Sequence, residues 1–198
     1  LLMYNEKTGL TEGHFDRHQL ALFHQMSRDI KANVPLRSNS PAYVWELLFG
    51  SAKFDLLSPE CRSLVLGLAQ SLGIPKKQTF EKIWVVESDF QSVNPSVLPF
   101  LPHFDIKRTT KIMVYLSDVT VKDGPMYIAR NVAPSHYEAR RQKVVTKGQN
   151  LVDAAEVRFE PLLGQAGHFH IFDTNLPHYA GTPITGGKRN ILRLDFVH

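Results

Sequence analysis

KIMVYLSDVTVKDGPMYIAR, Lys111 to Arg130, reads as two strands joined by a turn. KIMVYLSDV (111–119) and PMYIAR (125–130) are rich in β-branched and aromatic residues and are apolar at both parities, as expected where a sheet is covered on both faces. Lys122-Asp123-Gly124-Pro125 between them has turn chemistry. Towards the C-terminus, Val157–Leu162, GHFHIF (167–172) and NILRLDFV (190–197) predict further strands. On the N-terminal side FEKIWVVESDF (80–90) predicts one more.

Before Thr79 the periodicity is helical. Phe15, Leu22, Phe23, Met26 and Ile30 predict a helix over 15–30. Ser58 as N-cap, Pro59 at the first turn and Gly73 with Pro75 as stop signals bound a second, with the stripe Cys61, Leu64, Val65, Leu68 and Leu72. Tyr43 to Phe49 is read as a third. Helices first and strands afterwards give an α+β, mainly β class: a β-sandwich or squashed barrel with N-terminal helices packed on one sheet. A single domain over 1–198 is expected, with a helical buttress at 1–75 and a β core at 76–198. The irregular, charged stretch 131–156 is read as an insertion, expected to overhang the substrate site as a lid through His136, Tyr137, Arg140 and Arg141.

The chain has 198 residues, a net charge of +4 and a pI near 9.2. Its only basic run is Arg140-Arg141-Gln142-Lys143, too short for a nucleic-acid groove, so no nucleic-acid partner is expected. A single cysteine, Cys61, excludes an intrachain disulfide framework. No apolar run reaches the length of a membrane span, and no signal peptide is visible. The chain opens Leu1-Leu2-Met3, so a targeting signal could precede it, and a cytoplasmic location is the default expectation. The oligomeric state is not legible.

The chemistry begins at His103-Phe104-Asp105. On an extended segment residues i and i+2 share a side, so one imidazole and one carboxylate reach the same point while Phe104 turns into the packing. Alone, this pair is read as easily as a surface pair near a turn. His178, arriving on a distant strand, completes two histidines and one carboxylate, the facial triad of non-haem iron(II) oxygenases. Such a triad leaves room for a bidentate 2-oxo acid and O2, where a structural zinc site would be closed by four ligands. Arg189, eleven residues after His178, is placed to clamp the distal carboxylate of 2-oxoglutarate. Arg193, of the same parity, is the alternative anchor, and an edge-strand charge in solvent is the bland reading of either.

Together these pieces resemble the phytanoyl-CoA dioxygenase-like family of Fe(II)- and 2-oxoglutarate-dependent oxygenases: HFD at 103–105, KIMVYLSDVTVKDGPMYIARN at 111–131, GHFHIF at 167–172 and HYAGTPITGGKR at 178–189. The resemblance covers roughly the last half of the chain. It implies a double-stranded β-helix (jelly-roll, cupin-like), iron ligands His103, Asp105 and His178, and Arg189 as co-substrate anchor. The chain departs from the pattern at Ala180, where a hydroxyl residue is usual and Thr182 is the expected substitute. It departs again at Gly167-His168, where Gly-Asp is usual.

The implied activity is a dioxygenase that hydroxylates or desaturates a small organic substrate, with ascorbate as assay reductant. Asp105 argues against halogenation, which needs the carboxylate's place at the metal. Lys107, Arg108, Arg130, Arg140 and Arg141 suggest an anionic or carrier-linked substrate. A non-catalytic cupin-like metal module and a JmjC-like protein hydroxylase are the rival readings. Of the other histidines, His168 and His170 share parity but lack a carboxylate at useful spacing and read as core or rim residues. His14 and His18, at i and i+4, read as surface residues of one helix without the Glu of a zincin motif.

Overall fold

The computed structural model describes residues 3–146 and 148–198; Leu1 and Leu2, at which the sequence opens, and Lys147, inside the 131–156 stretch, lie outside them. The elements run β1 (Leu10–His14), α1 (Arg17–Asn33), β2 (Tyr43–Leu48), α2 (Pro59–Ser71), β3 (Thr79–Asp89), β4 (Thr109–Tyr115), β5 (Met126–Ala129), α3 (Glu138–Gln142), β6 (Phe159–Leu162), β7 (His168–Asp173), β8 (His178–Ala180) and β9 (Lys188–Val197). Two antiparallel sheets result, one ordered β1-β7-β4-β9-β3-β2 and the other β6-β5-β8.

Alternation along the large sheet divides its work. Ile112 and Val114 of β4, Phe169 and Ile171 of β7, and Leu192 and Leu194 of β9 face Phe23, Met26 and Ile30 of α1 and Cys61, Val65 and Leu68 of α2. The opposite parity faces the small sheet, where Met113, Tyr115, Phe172 and Ile191 pack with Ile128 and Leu162. The inward positions also hold Lys111 of β4, His168 and His170 of β7, and Arg189, Arg193 and Asp195 of β9. The fold is thus a double-stranded β-helix with helices buttressing one sheet, as the sequence implied.

Two of the three helices read from the sequence are realised. Asp16 caps α1 in a capping box with Gln19, and the Ser58 side chain accepts from the Cys61 N–H. Three expectations are corrected within the first 75 residues. Tyr43–Phe49 is not a helix: 43–48 form β2, paired with β3. Val44 faces the barrel interior and Leu47 the helices, so a strand buried on both faces mimics the spacing of three that a helix shows. The buttress also contains β1, an edge strand paired with β7. His14 ends β1 and only His18 lies on α1, so the two histidines do not share a helix.

Candidate metal centre

His103 and His178 lie directly opposite each other. The His103 N–H donates to the His178 carbonyl at 3.0 Å, and the His178 N–H to the His103 carbonyl at 2.7 Å. On its other edge His178 pairs with Ile128 of β5. Asp105 is fixed by its own N–H, which donates to the Thr174 carbonyl at 2.9 Å. Phe104 between them is fully buried against Tyr137, so the i, i+2 geometry places His103 and Asp105 on the side of His178.

The imidazole tautomers follow from their partners. His103 Nδ1 lies 2.7 Å from the Leu101 carbonyl and His178 Nδ1 2.8 Å from the Leu176 carbonyl. A carbonyl only accepts, so each Nδ1 carries a proton and each Nε2 is turned towards Asp105. Asp105 Oδ1 lies 3.4 Å from His103 Nε2 and 3.6 Å from His178 Nε2. Burial, with His103 beside it, pushes the His178 pKa down to about 3. Burial would raise the Asp105 carboxyl, but Lys111 and the two imidazoles outweigh it and hold it well below the usual range. Two imidazole nitrogens and one carboxylate oxygen therefore converge, all within 4.8 Å of one another. That donor set fits a divalent metal of the iron(II) class with several positions left to other ligands.

Lys111, which the sequence reading overlooked, completes this centre. It faces inward on β4, and its Nζ lies 2.5 Å from Asp105 Oδ2. One carboxylate oxygen is thereby occupied and the other is left facing the imidazoles, which suits a monodentate ligand. The signal was a lone lysine at inward parity in an otherwise apolar strand.

A cavity of about 530 Å3 opens on the three residues and runs past Met113, Met126 and Ile191 to Arg189, with Trp84 and Arg193 on its wall. A larger groove of about 730 Å3 against α1 and α2 has no comparable ligand set. Arg189 is buried, donates from Nη1 to the Gly124 carbonyl and leaves Nε without a partner. Among the described residues no carboxylate pairs with it. Arg193, by contrast, is bound to Asp195 through Nε at 2.7 Å and Nη2 at 2.9 Å and lies over the Trp84 ring at 4.0 Å. Thr182 is exposed and does not line the cavity. Strand β8 ends at Ala180, which does line it, and the chain has turned outward two residues later.

Other expectations are revised. Of the five cations named from sequence only Lys107 lines the cavity, joined there by Arg37 and Lys82. Arg108 is tied to Asp173, Arg130 to Glu12 and Glu160, Arg140 to Glu156, and Arg141 to Glu138. Among the described residues of the 131–156 stretch, Asn150 alone lines the cavity. The stretch flanks the segment that carries His103 and Asp105. Phe104 exchanges backbone and side-chain hydrogen bonds with Asn150, and the Val152 N–H donates to the Pro102 carbonyl.

No family model matches the sequence, and no curated protein is similar to it. Solved structures are similar in fold. SnoK, a non-heme alpha-ketoglutarate-dependent carbocyclase from nogalamycin biosynthesis, superposes with a TM-score of 0.69 at 17% identity, over 98% of this chain and 81% of its own. The chain has SnoK's fold. HygX from Streptomyces hygroscopicus, with nickel, 2-oxoglutarate and hygromycin B bound, gives 0.63 at 14% identity, over 96% and 83%. The epimerase SnoN, in complex with Fe3+, alpha-ketoglutarate and nogalamycin RO, gives 0.60 at 16% identity, over 98% and 80%. Among the described residues no helix is long and apolar enough to cross a membrane.

Proposed function

We propose that the chain is an Fe(II)- and 2-oxoglutarate-dependent oxygenase that hydroxylates or desaturates a small, anionic organic substrate. The observation that carries this reading is the convergence of His103 Nε2, His178 Nε2 and Asp105 Oδ1, two imidazole nitrogens and a carboxylate oxygen gathered round one point, a donor set suited to a divalent cation. Solved structures of the same fold that hold iron or nickel with 2-oxoglutarate support it. The phytanoyl-CoA dioxygenase-like motifs add to that support.

Bound iron with 2-oxoglutarate would supply O2 activation coupled to oxidative decarboxylation of the co-substrate to succinate. The residues supply everything else. Leu101 and Leu176 carbonyls hold the imidazoles in the ligating tautomer. Lys111 orients the carboxylate. Arg189 is a buried guanidinium without a counter-charge, an arrangement that is costly unless a ligand anion completes it. It therefore takes the distal carboxylate of 2-oxoglutarate, and Arg193, already neutralised by Asp195, does not. Trp84 offers a flat surface to an apolar or planar body, and Arg37, Lys82 and Lys107 beside it are paired with Glu46 and Glu81, so an anionic substrate would take the place of those carboxylates.

The test is succinate release from 2-oxoglutarate with iron(II), ascorbate and a panel of small anionic metabolites under air. Turnover above the metal-free control, lost in Asp105→Ala, is expected. A folded protein that binds metal and releases no succinate with any substrate would support the cupin-like binding module instead.

A further inference from the structure

A second set of ligating side chains lies on the inward face of the same sheet, apart from the triad. In the β1–β7 register Glu12 is opposite His170 and His14 opposite His168. Strand alternation therefore puts Glu12, His168 and His170 on one face, and each offers a ligand atom within 4.8 Å of the others. From the sequence the two histidines lacked a carboxylate; β1, an edge strand whose Glu12 precedes His168 by 156 residues (168 − 12 = 156), brings one.

The histidines are short of partners. His170 is fully buried, and among the described residues neither of its ring nitrogens is in hydrogen-bond geometry with any group, although Nδ1 lies 3.3 Å from Glu12 Oε1. His168 Nε2 is likewise buried and unpartnered. The rings are 4.8 Å apart between centroids. A buried imidazole with both nitrogens unpaired is costly, and a metal ligated by one nitrogen removes part of that cost. Glu12 is already oriented to ligate, since Arg130 Nη2 holds its other oxygen, Oε2, at 2.9 Å and leaves Oε1 turned to His170. Tyr115, edge-on to His170 at 5.0 Å, has its hydroxyl committed to the Leu162 carbonyl and does not compete.

We propose that Glu12, His168 and His170 form a second divalent-metal site, of two imidazoles and one carboxylate, suited to zinc(II). The metal would staple edge strand β1 to its neighbour β7 on the inward face of the sheet. This site shares no residue with the triad, and its existence does not depend on the oxygenase reading.

Equilibrium dialysis of chelator-stripped protein against zinc(II), with bound metal counted by mass spectrometry, tests it. Asp105→Ala/His178→Ala, which removes the triad, should still bind one equivalent, and adding Glu12→Gln/His168→Ala to it should abolish that equivalent. His168 is partly exposed and Glu12→Gln keeps its size, so these changes are mild; circular dichroism checks the fold. Zinc should also raise the melting temperature of Asp105→Ala/His178→Ala and leave that of the quadruple variant unmoved. No bound zinc in folded Asp105→Ala/His178→Ala overturns the proposal. So does one equivalent that survives in the quadruple variant. Should the quadruple variant not fold, Glu12→Gln added alone to Asp105→Ala/His178→Ala, expected to weaken zinc binding at least tenfold, decides.

Discussion

Asp105 illustrates how much of the centre is set by a residue that would never touch the metal. Its Oδ2 is held by Lys111 Nζ at 2.5 Å, and its Oδ1 faces the imidazoles. Groups that orient a ligand typically cost about 10–100-fold in metal affinity when removed. Lys111→Met should weaken iron(II) or manganese(II) binding by about that factor, read by calorimetry under argon. Tighter binding in that variant would mean that repulsion between the ammonium and the metal outweighs orientation. Arg189 is subject to a parallel test. A lysine there cannot reproduce the guanidinium fork, so Arg189→Lys should raise the KM for 2-oxoglutarate by about 10-fold or more, hydrogen bonds to charged groups being worth about 1.5–3 kcal/mol. Arg193→Lys should leave that KM within a factor of about two, as expected for a cation already paired and stacked on Trp84. A reversed pattern would move the anchor to Arg193.

Among the elements, the stretch from Asn131 to Glu156 changes its meaning most between sequence and structure. Its mixture of aromatic and basic residues read as a substrate lid, yet Arg140 is spent on Glu156 and Arg141 on Glu138. Its work lies at Asn150, whose side-chain amide donates to the Phe104 carbonyl at 2.7 Å, and at Val152, paired to Pro102. Asn150→Ala should cost about 1–3 kcal/mol of stability, because it strands a buried carbonyl; urea unfolding measures it. Arg140→Ala/Arg141→Ala should leave the kinetics for the primary substrate unchanged, and a raised KM would restore the lid. The strands were legible wherever both faces are apolar, as in 111–115. The convergence of His103, Asp105 and His178 was legible because i, i+2 spacing and a distant histidine survive as text. What was not legible depended on pairing: β1 is a polar edge strand, β2 imitates a helix through Val44 and Leu47, and the partners of Asp105 and His170 come from other strands.

At the scale of the whole molecule, one sheet serves two faces, apolar towards the helices and polar towards the cavity. Filling that interior with neutral histidines has a consequence for acid stability. Burial lowers the pKa of His168, His170 and His178, the last to about 3. The unfolded chain takes up these protons near pH 6.5, and folded His178 does so only near 3. The unfolded state therefore binds more protons in that window, and stability falls as pH drops from about 6.5 towards 3. Glu138, held at about 2 chiefly by Arg141, contributes stability that is present above about 4.5 and is lost as pH falls towards 2. The melting temperature of chelator-treated protein should decline steadily from pH 7 to pH 4; a flat profile would mean that these histidines are solvated. The metal-dependent binding of 2-oxoglutarate is the most direct measurement of all. With manganese(II) under argon, calorimetry should find one 2-oxoglutarate bound per chain, no binding after chelation, none in His178→Ala, and at least tenfold weaker binding in Arg189→Lys. Equal binding with and without metal, undiminished in His178→Ala, would contradict a centre built on His103, Asp105 and His178.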